Sequence, residues 1–359
     1  MDIGRLTGQW IRNGYESFET WRNFSNSRKE ALKLRKRIAD KKSAPFAGRA
    51  IVEKAKQESD ARFGDPGHWP WLALYAELRE EYIEGWLPDD LYSYVLIPYL
   101  NPPQYSYIST LKSVEHRFFP EANAEPLGVV VRGRFYDPSF RQESAADFFK
   151  RLEGECGDKE LIVKEDSASS GKGLRFGRPK EIQALSFSPD RSYVIEPVFT
   201  QHAAMAEPYP ESVNTIRIST FLDNNGDVKI KHRLLRVGSR GRRIVNSGSE
   251  DIDIYLNSVG NAISDAKDGI GFHAGEKHPD TGFRYRDLHV PSMEKAEAYC
   301  KKQHLSFPYL RFVGWDIYID EQAEPGLIEW NAVKPNLWPH EAHVGPLWSE
   351  QEIRELVEC

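Results

Sequence analysis

Two apolar runs near the C-terminus, Leu310 to Ile319 and Pro325 to Trp330, most narrow the folds open to this chain. Both read as buried strands, a last pair in the sequence. Within Gly314-Trp-Asp-Ile-Tyr-Ile319 and Gly326-Leu-Ile-Glu-Trp-Asn331 lie three hard oxygen donors, Asp316, Glu329 and Asn331. Side chains two residues apart on a strand share a face, so Glu329 and Asn331 point one way while Trp330 packs on the other side. If the two strands pair, Asp316 joins them. Three oxygen donors close together suit Mg²⁺, particularly where substrate phosphates complete the octahedron. The plainer alternative is an edge pair carrying exposed polar residues, which any sheet can have.

The second informative stretch is Leu161-Ile-Val-Lys-Glu-Asp-Ser-Ala-Ser-Ser-Gly-Lys-Gly-Leu174. A short apolar run delivers Lys164 to a fixed point, and a loop nearly free of bulky side chains follows, Ser167 to Gly173. Such a loop can lay backbone N–H groups against a polyanion, with Lys164 and Lys172 adding charge. It has neither the G-x-x-x-x-G-K-[ST] spacing of a P-loop nor the G-x-G-x-x-G of a dinucleotide fold. Alone, it is equally a hairpin turn.

The 359 residues are 40% hydrophobic, enough for a sizeable core and two or three lobes. A net charge of −6 offers no global argument for nucleic acid or an anionic membrane. No apolar run approaches the roughly 20 residues of a spanning helix, and the start lacks a signal-peptide core. Cys156, Cys300 and Cys359 show no pairing or zinc spacing, so a reduced cytoplasmic protein is the expectation. No feature bears on oligomeric state.

Residues 1–62 are basic and helical in character, with 15 Lys and Arg against 8 Asp and Glu. The densest part is Arg28 to Lys42, where Ala31, Leu34 and Ile38 recur at helical spacing. It reads as a solvated helix docked by that stripe, or as a contact for an acidic partner or membrane surface. An apolar helix around Trp69 to Leu78 and another from Asp89 to Leu100, stopped by Asn101-Pro-Pro103, complete a helical N-terminal module, residues 1–108. Further helices are expected at Lys112–Phe119, Ala145–Leu152 and Glu350–Glu358. Strands are expected at Leu127–Val131, Ser192–Phe199, Asn214–Phe221 and Val228–Val237, and a loop at Pro335–Pro346. Repeats and low-complexity tracts are absent. Helices between antiparallel pairs make an α+β architecture.

A lysine-bearing strand before a Ser/Gly loop, a strand ending in Glu196-Pro197, and Asp316 followed by Glu329-x-Asn331 together resemble the ATP-grasp superfamily. Gln201-His202, Asn214-Thr-Ile-Arg217, His278-Pro-Asp-Thr-Gly282, Gly314-Trp-Asp316 and Ile328-Glu-Trp-Asn331 are similar to its sugar-transfer-associated group, over roughly residues 110–345. The resemblance implies two lobes gripping ATP, a nucleotide-binding lobe at 109–198 and a metal- and substrate-binding lobe at 199–359. It implies that Lys164 reaches the nucleotide phosphates. Lys112 is the best candidate for an upstream nucleotide lysine, with Arg132 or Arg134 as alternatives. Ser169, Ser170, Gly171, Lys172 and Gly173 correspond to a flexible lid. Glu196 and Val198 fall in the hinge that reads adenine, with Gln201 or His202 near the ribose. Arg217 is aimed at the γ-phosphate or a substrate carboxylate, and Arg236 is a second candidate. For both arginines, an ion pair across the sheet is the plainer option. Val245 stands where relatives carry an Asp, ahead of Asn246 to Asp251.

The implied activity is an ATP- and Mg²⁺-dependent ligase joining a small-molecule carboxylate to an amine (or thiol) through an acyl phosphate, with Lys164, Lys172 and Arg217 neutralising the transferred group. A small-molecule phosphotransferase and a non-catalytic nucleotide-binding scaffold are the alternatives. The aromatic N-terminal module and Trp338-Pro-His340 are candidates to line an acceptor site, or serve as packing.

Overall fold

The computed structural model of the protein describes residues 18–41, 48–119, 126–168, 171, 173–245, 251–269 and 271–357. Its N-terminal part is helical: α1 (Phe18–Lys41), α2 (Arg49–Phe63) and α3 (Trp69–Arg79). Ala31, Leu34 and Ile38 are buried on α1 as their spacing predicts, while Lys33, Lys36 and Arg37 face solvent. Lys42 lies outside the described residues. Arg28 departs from the solvated reading. Its guanidinium turns inward to Asp65 (2.7 Å) and Asp90 (3.0 Å), and Asp90 also meets His68 Nδ1 at 2.7 Å. Satisfied in this way, a charge can sit inside the helical layer.

The helical run Asp89–Leu100 contains a π-turn across Tyr92–Leu96. At its end Asn101 uses the whole of its amide. Nδ2 donates to the carbonyls of Phe312 (2.6 Å) and Ala332 (2.7 Å), and Oδ1 accepts from the amides of Arg311 and Phe312. One buried side chain thus fixes the helical layer to the C-terminal strands.

Two six-stranded sheets follow, every pairing antiparallel. The first has the order β3-β2-β1-β6-β4-β5, with β1 Gly128–Val131, β2 Arg134–Tyr136, β3 Gln142–Glu143, β4 Leu161–Glu165, β5 Leu174–Gly177 and β6 Ser192–Pro197. Helix α4 (Ala145–Cys156) covers one face. Ser144 caps it by accepting the Asp147 amide, and Phe148, Phe149 and Leu152 pack on Val130, Val163 and Ile195.

The second sheet runs β10-β9-β8-β7-β11-β12, with β7 Thr215–Leu222, β8 Val228–Val237, β9 Ile252–Tyr255, β10 Lys267–Asp268, β11 Phe312–Ile319 and β12 Pro325–Asn331. Alternation divides its two sides. Ile216, Ile218, Trp315, Ile317 and Trp330 join a core with α5 (Met293–Ser306). On the opposite side Phe221 and Phe312 pack on Tyr92 and Leu91 of the helical layer, and the polar residues of β7, β11 and β12 lie farther along. Helix α5 and strands β9 and β10 were absent from the sequence reading. On α5 only Met293, Ala296, Cys300, Gln303 and His304 are buried, a mixed set with little apolar signal.

The expected loop at Pro335–Pro346 is corrected. It holds helix α6 (Trp338–Val344), ahead of α7 (Glu350–Val357). Pro339 sits in the first turn, where its missing N–H costs nothing, and Ala342 packs into the core of α1 and α3. Trp86 Nε1 donates to the Glu341 carbonyl at 2.8 Å. Burial pushes the Glu341 carboxyl from 4.5 up to about 8, against the opposing pull of the Leu347 amide. Between those values the unfolded chain releases a proton that the folded chain keeps, so stability falls as pH rises through that window. Glu341→Gln is expected to remove this loss. In denaturant unfolding its advantage over the parent should grow from pH 4.5 to 8 and then level, on the order of 1–3 kcal/mol. A pH-independent difference would count against the assignment.

Candidate active site

Two adjoining cavities, about 360 and 110 Å³, lie between the sheets and share Lys112, Leu174, Thr215, Ile244, Val245, Ile328 and Glu329. Lys164 reaches the smaller of them from β4. It is 5% exposed, and its ammonium meets Glu196 Oε2 at 2.6 Å and the Ile328 carbonyl at 3.2 Å. A strand of the first sheet is thereby bonded to an edge strand of the second. Burial opposes this charge, but Glu196 and Glu115 more than offset it and hold the Lys164 pKa above its ordinary value.

Lys112 comes from the segment before β1. Its ammonium donates to the Ala168 carbonyl at 2.8 Å and stands 3.9 Å from Glu329 Oε2. Ser113 fixes that segment by donating its amide and hydroxyl to Asp166 at 2.8 and 2.7 Å. Arg132 and Arg134 belong to the β1–β2 hairpin and line neither cavity. Of the two possibilities, position favours Lys112.

The oxygen donors assemble through register. Asp316 on β11 lies directly opposite Arg217 on β7 and Glu329 on β12, and Gly314 lies opposite Asn331. Arg217 grips Asp316 through Nε (2.6 Å) and Nη2 (2.7 Å), with Gly314 leaving room for the guanidinium. Asn331 turns its Nδ2 to Asp316 Oδ2 at 3.1 Å, which leaves its Oδ1 for another partner. Burial works against the charge of Asp316, yet Arg217 holds its carboxyl below the usual range. Burial and the adjacent Asp316 push Glu329 up. Two carboxylates pressed together beside an amide oxygen are a donor set that a divalent cation would relieve. Among the described residues no three His, Cys, Asp or Glu form a metal cluster by themselves.

Several of the expected site residues have protein partners. Arg217 commits two of its three guanidinium nitrogens to Asp316. It takes the plainer option, an ion pair to Asp316, and only Nη1 makes no hydrogen bond among the described residues. Arg236 likewise pairs with Asp253 at 2.9 Å, although both arginines line the larger cavity. Glu196 is turned to Lys164 rather than to an open adenine slot, and the Val198 amide donates to Glu160 at 3.3 Å. Val198 does line the smaller cavity, with Ile162, Phe176 and Phe199. His202 lines neither cavity. Its Nδ1 accepts the Ala204 amide and caps the turn Ala203–Ala206.

Of the lid, Ser169, Ser170 and Lys172 lie outside the described residues. Gly171 adopts φ +71°, and a Cβ there would meet Ile244 at 2.6 Å. A Cβ on Gly173 would strike Ala168 at 2.4 Å. The segment Asn246 to Glu250 is likewise outside, while Ile244 and Val245 line both cavities.

Glu115 escaped the sequence reading. It is buried near both lysines, and burial pushes its carboxyl up to about 8, with Glu196 and Glu329 adding to the rise and Lys164 opposing it. Its only sequence signal is its place one helical turn after Lys112. Lys334, also missed, lines the larger cavity three residues beyond Asn331.

Residues 179–346 match the family model described as sugar-transfer associated ATP-grasp. The α+β arrangement of two antiparallel sheets around the cavities is the ATP-grasp fold. No curated protein matches the chain. Similar solved structures include D-alanyl-alanine synthetase A from Vibrio cholerae, at 13% identity and TM-score 0.39, over 71% of this chain and 67% of that one. N5-carboxyaminoimidazole synthetase from Staphylococcus aureus, complexed with ADP, shows 12% identity and TM-score 0.40 over 70% and 53%. Carboxyaminoimidazole ribonucleotide synthase from Aspergillus clavatus, complexed with ATP, shows 13% identity and TM-score 0.40 over 74% and 58%. The chain thus spans just over half of the length of the latter two. Among the described residues no helix is long and apolar enough to cross a membrane.

Proposed function

We propose that the protein is an ADP-forming ligase that joins a carboxylate to an amine (or thiol) at the expense of ATP. One observation carries the reading. Ammonium groups of Lys112 and Lys164 and the oxygen donors Asp316, Glu329 and Asn331 come from different parts of the chain to one pair of connected cavities. The smaller, walled by Ile162, Phe176, Val198 and Phe199, suits a purine ring, and the larger suits phosphates.

A carboxylate oxygen attacks the γ-phosphorus, the bond from that phosphorus to the bridging oxygen breaks, and ADP leaves with the electron pair. The amine nitrogen then attacks the acyl carbon of the acyl phosphate, inorganic phosphate departs, and the nitrogen loses its proton. Lys112 and Nη1 of Arg217, with Lys164 entering from the smaller cavity beside Ile328, hold negative charge where it builds up on the phosphoryl oxygens. The sheets screen the acyl phosphate from water. Glu329, Asn331 Oδ1 and Asp316 would hold Mg²⁺, which supplies charge neutralisation of the nucleotide phosphates when bound.

The test is ADP release on mixing ATP and Mg²⁺ with candidate carboxylates and amines. Phosphate should appear only when both are present. Glu329→Gln is expected to lower kcat at least about 100-fold and to raise the Mg²⁺ requirement. Ordinary turnover in that variant would remove the metal assignment. ADP formed with a hydroxyl acceptor alone would move the reading to phosphotransfer.

A further inference from the structure

A third cavity, about 450 Å³, opens between the helical layer and the segment after β12, and it borders the phosphate cavity at a single shared side chain, Lys334. Its wall is aromatic. The rings of Trp71 and Trp338 stand 5.9 Å apart, and Trp71 is fixed by donating Nε1 to Ser27 Oγ at 3.0 Å. Tyr94 lies beneath the Lys334 ammonium at 4.5 Å, and Lys334 forms no ion pair among the described residues.

Asp89 also lines this cavity, only 7% exposed. Ser93 donates to its Oδ2 at 3.1 Å, and Oδ1 has no hydrogen-bond partner among the described residues. Oδ1 is therefore an acceptor of a largely buried carboxylate that lines the cavity, and an ammonium group against Trp and Tyr faces is a ligand that suits it. Lys334 supplies the opposite charge on the border of the phosphate cavity, near enough for its charge to act on Asp89.

We propose that the carboxylate this protein activates belongs to an amino carboxylate, whose ammonium group is held by Asp89 among Trp71, Tyr94 and Trp338 while Lys334 directs its carboxylate into the phosphate cavity. This rests on the ligase reading for the fate of the carboxylate, and on the cavity alone for the ammonium.

The experiment is calorimetric titration of the full chain with Mg·ADP present. The probes are α-amino acids and ω-amino acids of increasing length, each paired with its desamino acid. At least one amino carboxylate is expected to bind 10-fold or more tightly than its desamino partner. Asp89→Asn, which retains the Ser93 contact, should abolish that preference, and Lys334→Ala should weaken both members of the pair alike. If Asp89→Asn does not fold, Trp338→Leu is expected to reduce the same preference. Equal affinities within every pair, or a preference that survives both Asp89→Asn and Trp338→Leu, overturn the proposal. ADP release is read in the same series. Ammonium-selective binding without any ADP release overturns the ligase reading and leaves this cavity assignment standing. ADP release that is indifferent to the ammonium group overturns the assignment alone.

Discussion

Asp316→Ala is expected to destabilise the protein by on the order of 3–5 kcal/mol, because it leaves the Arg217 guanidinium buried without its counterion. Both short bonds of that pair end on the one carboxylate, and Glu329, the neighbouring carboxylate of the same sheet, makes no hydrogen bond to the guanidinium among the described residues. Chemical denaturation measures the loss. Adding Arg217→Met to Asp316→Ala is expected to restore much of it, since removing both partners deletes the uncompensated charge. A single-variant loss below about 1 kcal/mol would show that Arg217 reaches another acceptor, and would remove its pairing with Asp316 as an organising contact.

Lys164→Met is expected to lower ATP-dependent turnover about 100- to 1,000-fold, the range for removing one preorganised charge donor. The effect has two parts. On the proposed reading the ammonium is withdrawn from the nucleotide phosphates, and the Glu196 carboxylate is left without its 2.6 Å partner. Lys164→Arg should not rescue it. A planar fork cannot meet Glu196 and the Ile328 carbonyl at once in a site shaped for a compact ammonium. Calorimetric titration with ATP separates the terms. Unchanged affinity and turnover in Lys164→Met would take this lysine out of the nucleotide site.

The sequence made the C-terminal strand pair legible because period-2 alternation is strong there: Trp315, Ile317 and Trp330 on one side, Asp316, Glu329 and Asn331 on the other. The pairing that brings Asp316 opposite Glu329 follows from that pattern. What the pattern could not show is that Arg217 faces Asp316, since register between β7 and β11 is set across 99 residues of chain. A strand arginine reads the same whether it meets a ligand or an aspartate. Glu196 is a related case. Its place at a strand end suggested a hinge, and only the partner strand shows that Lys164 claims it. Helix α6 was hidden by Pro339, which reads as a breaker until its first-turn position is known. Asp89 and Lys334 have no shared sequence signal, being brought near each other only by packing of the helical layer on the C-terminal segment.

Strands β11 and β12 also bind two requirements into one. The face carrying Trp315 and Trp330 builds the core with α5, and the reverse face carries the oxygen donors, so a one-residue slip would trade indoles for carboxylates. An insertion inside either strand therefore could not be repaired by compensating changes in the cleft alone. Added length is tolerable only in the connecting turn at Asp320–Glu324, where the backbone already reverses outside the ladder. The irregularity between Asp316 and Ile317 is the single place where the ladder takes up an offset, and it falls beside the carboxylate that Arg217 secures.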